Sequence, residues 1–151
     1  MAKLKIVQVG DPILRKTSRP VEEITPRIRQ LVDDMIETMR AHDGCGLAAV
    51  QVGVLRRVVV IEVEEGNPMV LINPKIVAYA GEQEETEGCL SLPGKWGKTR
   101  RPRHVTVRAL DLDGTEHEYN GSDLLARAFC HELDHLDGKL FTDSLVGELE
   151  G

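Results

Sequence analysis

Apolar residues recur at Ile28, Leu31, Val32, Met35, Ile36 and Met39, the i, i+3, i+4 spacing of an amphipathic helix. Thr25 supplies an N-cap, and Pro26 suits the first helical position because its missing N–H would have had no partner there. The pattern predicts an end near Asp43-Gly44. After a glycine-rich turn, "RRVVVIEVEE" (56–65) is dense in β-branched residues and predicts a strand, and "PMVLINPKIVAYA" (68–80) predicts further extended chain broken at Pro74. "HVTVRALDLDGTEHEY" (104–119) alternates about Asp113-Gly114, the signature of a β-hairpin. A second long helix is predicted over roughly 123–137, capped by Ser122 and closed by Gly138. Strands precede this last helix without regular alternation, which is an α+β order: antiparallel or mixed sheets packed around a central helix.

Length and composition narrow the class. The 151 residues suit one domain, 1–151, with its own core, and aromatics are only 3%, so Val, Leu and Ile must build it. A net charge of −6 argues against a general nucleic-acid binder. No run of about 18 apolar residues occurs, so no membrane-spanning helix is expected. The opening "MAKLKIVQVGDP" lacks a signal peptide's apolar segment and cleavage site. A reducing cytoplasm is the expected compartment. Cys45, Cys89 and Cys130 are odd in number and widely spaced, which fits ligands, packing groups or reactive thiols better than a disulfide framework.

The chemistry concentrates in "FCHELDHLDG" (129–138). His131 and His135, at i and i+4, project from one helix face and can grip one divalent metal, with Glu132 beside them as a base. Two surface histidines on a charged helix would give the same letters. However, Leu124, Leu125, Ala128, Phe129, Leu133 and Leu136 wrap most of the helix in apolar groups. Buried imidazoles need partners. A zincin-type peptidase would add a downstream ligand, but the position an extended motif would use is Phe141, and little chain follows. An upstream cysteine is the expected third ligand.

Cys89 lies in "EGCLSLP" (87–93), and "GCGLAAVQVG" (44–53) is a further distinctive stretch. Together with "CHELDHLDG", in this order and spacing, the chain resembles the bacterial peptide deformylase family over nearly its whole length, including the early "GDPILRK". The resemblance implies that Cys89, His131 and His135 bind the metal, with water in the fourth position. Three protein ligands plus water is a catalytic arrangement rather than a structural one. It implies ferrous iron as the usual metal, with zinc, nickel or cobalt able to substitute; the ligand set alone does not choose. The implied substrate is the N-formyl-methionyl end of a nascent polypeptide. Glu132 would move the proton, and the Gln51 amide and the Leu90 backbone N–H would stabilise the oxyanion. Read without the family, Gln51 is a surface glutamine after a buried "LAAV" run.

Gly44, Gly46 and Gly88 would let a substrate strand pair closely, although the first two equally suit a tight turn. Cys45, Leu124 and Ala128 are candidates for an apolar methionine pocket, or plain core. Cys130 stands where many relatives have glutamine; it lies about 100° from His131 around the helix and should pack rather than ligate. Cys45 replaces a commoner aliphatic residue. Longer relatives continue into a further helix, so any ribosome contact here should be transient and different. "GKWGKTRRPRH" (94–104), after the acidic "EQEETE" (82–87), reads as solvated chain or as a contact for substrate or ribosomal RNA. A monomer is expected. The rivals are a zinc metallopeptidase cutting internal bonds and a non-catalytic metal-containing module that binds N-termini.

Overall fold

The computed structural model describes residues 3–151. Two α-helices, α1 (Pro26–Ala41) and α2 (Leu124–Leu136), join seven strands: β1 (Gly46–Ala48), β2 (Val58–Ile61), β3 (Met69–Ala80), β4 (Gln83–Cys89), β5 (Leu92–Arg101), β6 (His104–Leu110) and β7 (Glu116–Ser122). All strand pairings within the sheets are antiparallel. Five strands form one sheet in the order β1-β2-β3-β6-β7, and β4 and β5 form a separate hairpin. This is the expected α+β class, with α2 against the larger sheet.

Strand β2 is buried throughout because a helix covers each face. Val59 and Ile61 belong to the core around α2, with Phe129, Leu133 and Leu136. Val58 and Val60, pointing the other way, belong to the core around α1, with Val32, Met35 and Met39. Two-sided burial explains why this segment shows no alternation. The strand is shorter than the 56–65 stretch predicts, since Arg56, Arg57 and the acidic residues at 62, 64 and 65 fall outside it.

Three boundaries correct the sequence reading. Helix α1 ends at Ala41, and Asp43 takes a positive φ of 54°. Strand β3 runs through Pro74 instead of breaking there. The register slips between Ile72 and Lys75, and Asn73 adopts a φ of 53°. Its side chain exchanges two 2.8 Å hydrogen bonds with the Val21 backbone. Pro74 thus sits at a bulge, where a strand tolerates a missing N–H. The N-cap of α2 is Asp123, in a positive-φ conformation without a side-chain capping bond. Ser122 is the last residue of β7 and its hydroxyl is occupied by His104 Nδ1 at 2.8 Å. The predicted hairpin forms, but β7 runs on to Ser122.

The acidic and basic runs at 82–104 are the two arms of the β4–β5 hairpin. Glu84 pairs with Arg100 at 2.5 Å, Glu87 with Arg101 at 3.0 Å, and Arg103 reaches Asp123 at 2.8 Å. Most of the basic cluster is therefore neutralised within the fold. No described helix is long and apolar enough to cross a membrane.

Candidate metal centre and substrate cleft

Helix α2 brings His131 and Glu132 to the lining of a cleft of about 350 Å³, with His135 fully buried one turn further along the helix. Strand β4 delivers Cys89 from the opposite wall. The Cys89 Sγ and one ring nitrogen from each histidine lie within 4.8 Å of one another, and Sγ is 3.4 Å from His135 Nε2. The imidazoles stand edge to face with centroids 5.0 Å apart. A thiol and two imidazoles converging so closely, one of them fully buried, form a donor set that suits a divalent transition metal.

The two imidazoles are coupled in their protonation. Burial and the neighbouring His131 push His135 down to about 3, so its ring is neutral and keeps a lone pair. Burial works against a charged His131 as well, but Glu132, Cys89 and Glu87 outweigh it and raise this ring well above the ordinary range. Two imidazolium ions cannot share so small a space. His131 Nδ1 donates to Glu87 Oε1 at 3.0 Å. This directs Nε2 toward the cleft, the orienting device common behind metal-bound histidines.

Glu87 was not singled out by the sequence reading, although it lies in the same motif as Cys89. Two residues apart on a strand means the same face, and that spacing was the available signal. Its carboxylate has four acceptor positions, and four donors fill them: His131, two N–H groups of Arg101, and the Thr99 hydroxyl. Burial alone would raise its pKa, yet His131 and Arg101 hold it down at about 2. Arg101 reaches on to Asp134 on α2 at 2.7 Å.

Glu132 is buried, and its Oε1 has no hydrogen-bond partner among the described residues. Burial raises its carboxyl to about 7, with His131 opposing the shift. Its other oxygen lies over Gly46, where a Cβ would stand only 2.6 Å away. A side chain at this position would push the glutamate aside. A Cβ on Gly44 would meet the Leu90 side chain at 2.6 Å.

Gln51 is buried, not on the surface as its sequence context alone suggests. Its Oε1 accepts from Ala48 N–H at 3.0 Å, which fixes the amide's orientation. Nε2 then points to the Ser91 hydroxyl at 3.1 Å and, by a longer contact of 3.5 Å, to Cys89 Sγ. Leu90 follows Cys89 in the tight connection to β5.

Gly44, Cys45, Gly46, Gly88, Leu124 and Ala128 all line the same cleft. Among the described residues β1 is an outer strand of its sheet and β4 pairs only with β5, so two strand edges border the opening. Leu124 is 46% exposed and Ala128 buried, an apolar step from rim to floor. Arg127, not anticipated, also lines the cleft, its guanidinium held by Gln83 Oε1 at 2.7 Å. Cys130 packs into the core as expected, and burial lifts its thiol to about 11.

An antiparallel α+β scaffold that sets a Cys/His/His donor set beside a partnerless buried carboxyl is the framework of a metal-dependent hydrolase. The family model described as polypeptide deformylase matches residues 3–149, and the chain belongs to this family. The peptide deformylase of Lachnoclostridium phytofermentans is 56% identical over 151 residues, 99% of this chain and 93% of that protein. A crystal structure of peptide deformylase from Thermotoga maritima superposes with a TM-score of 0.93 at 36% identity, covering 96% of this chain and 99% of that one. The Ehrlichia chaffeensis peptide deformylase, solved in complex with actinonin, gives 0.93 at 44% identity, covering 96% and 90%.

Proposed function

We propose that Cys89, His131 and His135 hold one divalent metal, ferrous iron in the cell, and that Glu132, Gln51 and Leu90 act on a formylated peptide bound beside it. The reaction is the family's: hydrolysis of the N-formyl amide at the N-terminal formyl-methionine of newly made polypeptides, releasing formate. The bound metal would supply Lewis acidity, lowering the pKa of water toward roughly 7 and polarising the formyl oxygen. Glu132 takes a proton from the attacking water at its free Oε1 and returns it to the departing amine. Its carboxyl, raised to about 7, is matched to two-way transfer near neutral pH.

One N–H of Gln51 is engaged by Ser91, and the other makes only the long contact to sulfur. That second donor is the one free to meet the oxyanion. The backbone N–H of Leu90 adds a second donor. Each such donor is worth about 3–4 kcal/mol in the transition state. Gly44, Gly46 and Gly88 let the substrate backbone lie against the two strand edges as an added strand. Cys45, Leu124 and Ala128 receive the methionine side chain. Residues 1–151 act as one catalytic domain, a monomer in the cytoplasm that meets the ribosome only transiently.

The observation that carries this reading is the buried Glu132 oxygen, without a partner among the described residues, in the cleft that Cys89 and His131 also line. The test is formate release from formyl-Met-Ala-Ser by protein purified without oxygen and loaded with ferrous iron. Release without internal cleavage, and none from the unformylated peptide's amine end, is expected. A folded, metal-loaded protein that releases no formate would overturn the proposal. Cleavage of internal bonds would restore the metallopeptidase reading.

A further inference from the structure

The wall carrying Cys89 and the wall carrying the two histidines belong to different elements, β4 and α2. Beside the direct bond from His131 to Glu87, a buried ionic bridge joins them through a third element, β5. Arg101, on β5 and 6% exposed, gives Nε and Nη2 to the two oxygens of Glu87 at 3.0 and 3.1 Å and Nη1 to Asp134 at 2.7 Å. Glu87 lies two residues before Cys89 and holds His131; Asp134 lies one residue before His135. One guanidinium therefore spans from the cysteine strand to the histidine helix. Its planar fork of donors suits that span, whereas a lysine ammonium could serve one carboxylate but not reproduce all three directions. A buried ion pair is not an efficient way to stabilise a fold, since desolvation offsets much of the attraction. Geometric precision at the donor triad gives this one a reason to exist.

We propose that Arg101 is a positioning residue that locks β4 to α2, holding Cys89 at its distance from the two imidazoles and so governing how firmly the metal is retained. This rests on the reading of Cys89, His131 and His135 as the ligands. The Thr99 hydroxyl completes the device by filling the remaining position on Glu87.

The test compares the wild-type chain with R101K and D134N, each loaded with Co2+ as the probe. The readouts are the visible absorption of the bound ion, its rate of transfer to a chelator, and the melting temperature of each metal-free form. The proposal expects both variants to release Co2+ faster, with affinity falling by about 10–100-fold, the range for residues that orient metal ligands, and altered absorption bands. D134N keeps the Arg101–Glu87 pair and so carries the test should R101K fail to fold. If the variants melt lower when metal-free but release Co2+ at the wild-type rate with unchanged bands, Arg101 is merely structural and the proposal falls. A wild-type chain that binds no Co2+ would instead overturn the ligand assignment beneath it.

Discussion

Glu132 and Gly46 form a unit at the residue scale. The carboxyl is buried with one oxygen lacking a partner among the described residues, and it sits there over Gly46, which has no side chain beneath it. Glu132→Gln retains the shape and removes the proton acceptor. Formate release should fall by about 10²–10⁴-fold, with metal content unchanged by elemental analysis. Gly46→Ala tests the same contact from below. A Cβ 2.6 Å from the carboxylate forces Glu132 aside, and a displacement of this kind costs on the order of 10²-fold in turnover. The expected result is a loss in kcat with little change in melting temperature. An unaltered kcat would show that the glutamate has room to move and still work.

At the scale of elements, α2 carries the two candidate histidine ligands and the proposed base, and its two ends are anchored differently. The start is held by Asp123 in strained backbone, tied to Arg103. The end is closed by Gly138, whose φ of +75° and whose distance from the chain at Arg15 both demand glycine. An added Cβ would lie 2.4 Å from the Arg15 carbonyl oxygen. Gly138→Ala should destabilise the fold by at least about 1–3 kcal/mol, the cost of a left-handed conformation for a residue with a side chain, before the backbone clash is counted. Urea unfolding measures this directly. A loss below that range would mean that the turn relocates freely. Arg57 adds a further tie, donating to the Leu136 carbonyl at 3.2 Å and pairing with Asp137.

For the whole molecule, the early and late parts of the chain are fastened by Arg15 and Asp143, a two-donor pair at 2.5 and 3.1 Å. Hydrogen bonding to Arg15 holds the Asp143 carboxyl below its ordinary value of 3.8. A lowered carboxyl adds stability above the unfolded pKa and loses it as pH falls through the folded value. Both side chains are about half exposed, so the contribution is at most about 1 kcal/mol. The stability difference between the wild-type chain and Arg15→Gln should be constant near neutral pH and close as the solution is acidified below about pH 4. Denaturant melts at several pH values would check this; a gap that widens in acid would contradict the pairing.

Much of the site was legible in the sequence because its signals are local. The two histidines and Glu132 share a helical spacing, and the three motifs with their resemblance name Cys89, Gln51 and Leu90. The helices and most strands followed from periodicity for the same reason. What the sequence left open depended on groups far apart in the chain. Nothing near Gln51 says that it is buried, because Ser91 and Cys89 bury it from a distance of some forty positions. Pro74 predicts a break until Asn73 meets Val21 and makes the bulge tolerable. Ser122 would cap a helix had His104 not taken its hydroxyl. The basic run at 94–104 invites a polyanion until the hairpin brings Glu84 and Glu87 across from it. The sequence by itself determined the candidate donors, the proposed base and the helix that presents them. Tertiary structure alone decided the partners of Glu87 and Arg101, since long-range hydrogen bonds are satisfied only when separate elements are packed together.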